Sequence, residues 1–293
     1  MKTVWRAEGD HYTFANDHVS GKYLTVGHYQ GMRSLVHRAS GVEIAAGETL
    51  PGLVCPYRVF ANGCRYEDVR ERRADVKIAG DKLAIAYPAD DRNPFDLVSL
   101  LSWNGPQLDI DYQLEMRADM RGFELGIASY LAAGFRGFVY RQSNNHGEDA
   151  PRFVPVDVNP MTDVYALFPR NEAAMATIFD GRWDLPPYPV RYCVPAYFAS
   201  PLAYRHHAPS LITAVGMGDP AECYAVCMPV NNPPENPDPA NGYQAIYFYC
   251  FGRDLRRGET ATMRVRWMVG QAISEPAMLA AWKEFVVSNP LEQ

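Results

Sequence analysis

Two histidines stand side by side at His206 and His207, directly after Tyr204 and Arg205 and between Pro201 and Pro209. An imidazole titrates near neutrality and can give or take a proton, while arginine and tyrosine supply hydrogen-bond donors and a ring face. Adjacent residues of an extended chain point to opposite sides, so at most one of the pair faces any single pocket. A second candidate gathers polar groups of every kind in Tyr140-Arg141-Gln142-Ser143-Asn144-Asn145-His146-Gly147-Glu148-Asp149. For acid/base work, His146 or one of the histidines at 206 and 207 is the candidate acid and Glu148 the candidate base. Arg141, Tyr204 and Arg205 are candidate substrate-binding groups. Solvated surface and a polar hairpin loop are the plainer readings of the same residues. A third cluster, Asp180-Gly181-Arg182-Trp183-Asp184-Leu185-Pro186-Pro187-Tyr188, sets aromatic rings among charges. Such rings stack on the apolar side of a pyranose while carboxylates and guanidinium groups bind its hydroxyls. Asp180 and Trp183 are therefore binding candidates, with loop anchors into the core as the alternative.

Tyr243, Tyr247 and Tyr249 recur every second or fourth residue and share one face of a strand, either as a ligand-facing wall or as core. Asn231, Asn232, Glu235, Asn236 and Asp238 offer oxygens without the spacing of a calcium loop. His11, His18, His28 and His37 are scattered through the N-terminal part, where a satisfied structural role is expected. Arg70, Arg72 and Arg73, interrupted by Glu71, are expected in a solvated loop. Six cysteines are too sparse for a disulfide scaffold. Cys223 and Cys227 are expected on one strand face as buried thiols, and no second close pair completes a zinc site. No metal and no nucleotide or redox cofactor is expected.

These residues must be positioned by strands. Leu108, Ile110, Tyr112, Leu114 and Met116 alternate with Asp109, Asp111, Gln113, Glu115 and Arg117, the period of a long antiparallel strand with one wet face. Val76 and Ile78 pair with Leu83, Ile85 and Tyr87 in a hairpin turned at Gly80-Asp81. From Phe123 to Leu131 the alternation gives way to residues apolar on both sides, as in a sheet interior. Leu211 to Val215, Cys223 to Met228, Tyr243 to Phe251 and Thr262 to Val269 are strand-like, and residues 252–259 read as a loop between neighbours. Only Met278, Leu279, Trp282, Phe285 and Val286 keep helical spacing, with Ser274 as cap and Pro276 in the first turn. The prolines of 151–189 and 229–239 enforce long irregular segments, where a site is most readily housed.

The chain has 293 residues, 47% of them hydrophobic and 21% charged, with a net charge of −6. That composition excludes disorder as the dominant state and argues against a nucleic-acid groove, which needs clustered Lys and Arg. No apolar run approaches a bilayer span, and charge interrupts the N-terminus before a secretory core can form, so a cytoplasmic location is expected. Strands continue evenly through the middle, so residues 1–293 are expected to form one domain.

The segment Gly31-Met32-Arg33-Ser34-Leu35-Val36-His37-Arg38-Ala39-Ser40-Gly41-Val42-Glu43-Ile44 resembles the early hairpin of galactose mutarotase-like (aldose 1-epimerase-like) proteins. Ala128-Ser129-Tyr130-Leu131, the Pro-rich loops, and the strand Met263 to Val269 before a short helix follow in the order of that superfamily. The resemblance implies an all-β fold, a large antiparallel β-supersandwich with a short C-terminal helix, whose broad curved sheet binds sugars. It also implies a mutarotase chemistry with a glutamate base and a histidine acid. The Asn-His-Pro and His-x-Tyr-Phe-Asn segments of true mutarotases are absent, so no catalytic position is carried over. The resulting expectation is a carbohydrate-active protein with a small-molecule or oligosaccharide ligand, in its most concrete form an anomeric epimerase. A non-catalytic carbohydrate-binding module, or a polysaccharide lyase or hydrolase on the same scaffold, is the alternative.

Overall fold

The computed structural model describes residues 2–47, 50–142, 150–156, 164–186, 189–230 and 244–288. The chain opens with β1 (Val4–Glu8), β2 (His11–Ala15), β3 (Val19–Leu24), β4 (Gly31–His37) and β5 (Val42–Glu43), which pair in sequence as a five-stranded sheet. Then come β6 (Cys55–Ala61), β7 (Cys64–Arg65), a 3-10 turn at Val69–Glu71, β8 (Asp75–Ala79), β9 (Lys82–Tyr87), β10 (Phe95–Asn104), β11 (Gln107–Met116), β12 (Met120–Tyr130), β13 (Phe135–Arg141), β14 (Arg152–Pro155) and β15 (Val164–Pro169). The remainder is α1 (Glu172–Ile178), β16 (Arg191–Cys193), β17 (Phe198–His207), β18 (Ile212–Met217), β19 (Cys223–Val230), β20 (Ala245–Leu255), β21 (Thr260–Gln271) and α2 (Glu275–Ser288).

Two large sheets result. A nine-stranded sheet has the order β14-β13-β17-β18-β21-β11-β10-β9-β8, and a seven-stranded sheet the order β16-β15-β19-β20-β12-β6-β7. Strand alternation decides what lies between them. On β11, Leu108, Ile110, Tyr112, Leu114 and Met116 are all buried in the main core, where they join Phe123, Leu125 and Ile127 of β12. The polar residues of β11 face outward and find partners across the register. Asp109 and Asp111 lie opposite Arg266 and Arg264, and Arg266 donates to Asp109 through Nε at 2.6 Å and Nη2 at 2.9 Å.

The expected β-hairpin forms as β8–β9, and Gly80 at φ 65° supplies the left-handed turn residue between them. Helix α2 covers the outside of the nine-stranded sheet, burying Met278, Ala281 and Phe285 against Leu202, Val215, Met217 and Met268. Ser274 Oγ accepts from the Ala277 amide at 3.4 Å, as a capping residue does. No helix of the described residues is long and apolar enough to cross a membrane.

Four expectations need correction. Helix α1 was not foreseen, because two turns are too short to show a period; Asn171 starts it by accepting from the Ala174 amide at 3.0 Å. The stretch 252–259 is not all loop: β20 runs to Leu255, and a short turn returns the chain to β21 at Thr260. Cys223 and Cys227 lie on opposite faces, Cys223 in the main core and Cys227 on the far side of the sheet. A register shift between Cys223 and Ala225 inserts one residue and inverts the alternation. Arg70 and Arg72 are buried rather than solvated, Arg70 over the Tyr57 ring and Arg72 beside the Phe95 ring, where it donates to the Pro88 carbonyl.

Candidate functional site

The outer face of the seven-stranded sheet, away from the main core, collects aromatic rings and charges. On β12 the alternation that sends Phe123, Leu125 and Ile127 inward places Ala128 and Tyr130 on this face, and on β20 it places Tyr247 and Tyr249 there. Strand β6 adds two adjacent side chains. Its pairing with β12 slips between Leu125 opposite Val59 and Ile127 opposite Pro56, and this bulge lets Tyr57 and Arg58 both reach the outer cluster. Helix α1, Trp183 and Tyr224 close over one end, while Tyr57, Tyr165 and Tyr192 remain partly exposed at the rim.

The rings form a continuous floor. Tyr247 sits edge-on to Tyr130 at 5.6 Å between centroids and stacks on Tyr165 at 6.0 Å with planes 20° apart. Tyr249 meets Tyr247 at 6.2 Å and Trp183 at 4.8 Å, both edge-to-face. Two arginines are inserted among them. The Arg70 guanidinium lies 3.9 Å over the Tyr57 ring, donates from Nη1 to the Tyr130 hydroxyl at 3.3 Å, and has Asp68 Oδ2 at 3.6 Å from Nη2. Burial opposes its charge, yet Cys55, Tyr130 and Tyr57 around it raise its pKa above the ordinary arginine value. Arg58 lies 4.2 Å over Trp183 and 4.6 Å over Phe60, a cation held by two π faces.

At the closed end a carboxylate is fully enclosed. Glu124 Oε2 accepts from Arg182 Nη1 at 3.0 Å and from the Tyr224 hydroxyl. Burial pushes the Glu124 carboxyl up from its ordinary pKa, only partly opposed by Arg182 and Arg58. Arg182 also grips Asp180 through Nε and Nη2, the shortest contact being 2.7 Å. Beside this chain of charges is a cavity of about 400 Å³ lined by Phe60, Cys64, Arg121, Asp180, Arg182 and Leu185. Among the described residues no three His, Cys, Asp or Glu side chains converge as metal ligands.

The residues singled out from the sequence are dispersed. Asp180 lines the cavity, and Trp183, fully buried, anchors its segment by packing on Tyr249 rather than presenting an open stacking face. Tyr204 and Arg205 belong to β17 of the other sheet. Tyr204 stacks on Phe138 at 4.6 Å, and buried Arg205 donates to the Ala245 carbonyl at 2.7 Å and to Gln244. His206 bonds Thr213 Oγ1 at 3.0 Å and His207 bonds Ser210 Oγ at 2.6 Å, both at the end of β17. Arg141 ends β13, opposite Arg152 and Phe198. His146, Glu148 and Tyr243 lie outside the described residues. Sequence reading missed Arg58, Arg70, Glu124, Tyr57, Tyr130 and Tyr165. The one visible signal was Glu124 itself, a carboxylate within the otherwise apolar run Phe123 to Leu131.

The sheet layout is that of a β-supersandwich, and solved structures of galactose mutarotase-like proteins share this fold. A galactose mutarotase-like protein from Lactobacillus casei ATCC 334 superposes with a TM-score of 0.57 at 10% identity, over 89% of this chain and 100% of that one. A galactose mutarotase related enzyme from Lactobacillus acidophilus gives 0.56 at 8% identity, over 89% and 98%. A protein from Synechocystis sp. PCC 6803 gives 0.56 at 11% identity, over 92% and 100%. No protein-family model and no curated protein sequence matches the chain.

Proposed function

We propose that this chain is a carbohydrate-active protein that holds a sugar against the outer face of its seven-stranded sheet. The observation that carries this reading is the partly exposed rim of Tyr57 and Tyr165, backed by Tyr247 and by Arg70 over the Tyr57 ring. Tyrosine rings take the apolar side of a pyranose, and the phenol and guanidinium edges meet its hydroxyls. The names of the Lactobacillus neighbours, galactose mutarotase related and galactose mutarotase-like, support the same ligand class.

Binding is the form of the reading that the described geometry favours. His206 and His207 belong to the nine-stranded sheet, and among the N-terminal histidines His28 approaches this region only at Glu71, 2.9 Å away on the turn that carries Arg70. For anomeric epimerisation the candidate acid is His146, His206 or His207 and the candidate base is Glu148. Calorimetric titration with a panel of hexoses and their oligomers tests the proposal. At least one sugar binds, and Tyr165→Ala or Tyr57→Ala lowers its affinity about tenfold, the loss of a stacked ring. A wild-type protein that binds no sugar overturns the proposal. Polarimetry decides the enzymatic form: accelerated mutarotation lost in His146→Ala establishes epimerisation, and new reducing ends from an oligomer establish cleavage.

A further inference from the structure

Beneath Trp183, several buried hydrogen-bonding atoms lack partners. The donors Arg58 Nε, Arg58 Nη2 and Trp183 Nε1, the Tyr249 hydroxyl, which can donate or accept, and the acceptor Glu124 Oε1 are all buried and unbonded among the described residues. Arg58 is 1% exposed, and no carboxylate of the described residues lies within ion-pair distance of it. Glu124, the nearest candidate, spends its other oxygen on Arg182 and Tyr224. An enclosed guanidinium without a hydrogen-bonded counter-charge is costly, by several kcal/mol in general, so such an arrangement is found where something else completes it.

The donors are assembled side by side. A Cβ placed at Gly126 would fall 2.8 Å from the Tyr249 ring and 3.4 Å from Arg58 Cβ, so the bare glycine is what lets these two side chains lie together over β12. Burial raises the Tyr249 phenol well above its ordinary pKa, which keeps it a donor. Burial works against the Arg58 charge, but its surroundings, Glu124 among them, more than offset it and raise its pKa above the ordinary arginine value. Phe60, the ring under Arg58, also lines the 400 Å³ cavity, together with Asp180, Arg182 and Leu185 from the segment that carries Trp183.

We propose that Arg58, Trp183 Nε1 and the Tyr249 hydroxyl form an oxyanion subsite, so that the sugar taken by this face carries a carboxylate or a phosphate. The inference rests on the carbohydrate reading above and adds to it the charge of the ligand. An acceptor-only group with several lone pairs satisfies all of these donors at once, which a neutral hydroxyl does not.

The experiment is calorimetry with four probes: D-galactose, D-galacturonate, D-galactose 6-phosphate and inorganic phosphate. The acidic sugars bind at least tenfold more tightly than galactose, and the better of the two identifies the anionic group as carboxylate or phosphate. Tyr249→Phe and Trp183→Phe, which remove a donor and keep a ring, each reduce that preference about tenfold. Arg58→Gln abolishes the preference; should this variant fail to fold, the two aromatic variants decide. Galactose binding with no gain for either acidic sugar, or a preference untouched by Tyr249→Phe and Trp183→Phe, overturns the subsite while the carbohydrate reading stands. Absence of binding by every sugar overturns both.

Discussion

Arg182 and Glu124 lie 58 positions apart in the chain and meet at 3.0 Å with Glu124 wholly enclosed. The pair ties the segment after α1 to the central strand β12, and it is what keeps a carboxylate tolerable inside the protein. Breaking such a pair from one side costs more than removing both partners, because the survivor is left charged and desolvated. Arg182→Met should therefore lower unfolding free energy by about 3–5 kcal/mol in urea titration. The double variant Glu124→Met/Arg182→Met should recover most of that loss. A double variant no more stable than the single one would show that the segment is held by its apolar contacts, Trp183 foremost.

Glycines discriminate between two kinds of close approach. At Gly126 an added methyl meets the edge of the Tyr249 ring, a side chain that can shift. At Gly52 it would come within 2.4 Å of the Gly31 carbonyl carbon and 2.5 Å of the Met32 nitrogen, where backbone crosses backbone and Leu53 and Met32 exchange hydrogen bonds. Gly126→Ala should cost about 1–3 kcal/mol by overpacking. Gly52→Ala should cost more or prevent folding. Thermal melts of the two purified variants check the order, and a reversal would mean that the crossing of β4 with the segment before β6 can spread.

What the chain announces in advance is whatever repeats with a period of two or of 3.6. Leu108 to Met116 and the stripe from Met278 to Phe285 were legible for that reason, since burying one face imposes the rhythm directly. The candidate site was not. Arg58 and Tyr57 reach it together only through a bulge, Cys227 departs from Cys223 through another, and neither bulge leaves a mark on the sequence. Charged residues are read as surface because most are, and Arg70 was read that way. Its burial is created by pairings between strands distant in the chain, β12 with β20 and β6, which spacing alone does not reveal. Tyr247 and Tyr249 were visible as a stripe; that the stripe faces away from the main core was not.

Two histidines make the stability depend on pH in a defined direction. His206, beside Thr213, is held below the ordinary histidine pKa of 6.5 by burial and then by His207, and His37 by burial and then by His18. A group whose pKa is depressed by folding binds its proton less readily in the folded state than in the unfolded one. Its contribution is therefore present above pH 6.5 and lost as pH falls through the folded-state value. The urea midpoint should drop between about pH 7.5 and about pH 5.5, and His206→Gln with His37→Gln should flatten the decline while Gln retains polar contact with Thr213. Glu259 acts in a separate window. Its pKa is lowered from 4.5, chiefly by the Arg253 hydrogen bond, so its stabilisation is lost only below that value. A decline that persists unchanged in the double histidine variant would transfer the effect to other groups, and one confined below pH 4.5 would assign it to carboxylates such as Glu259.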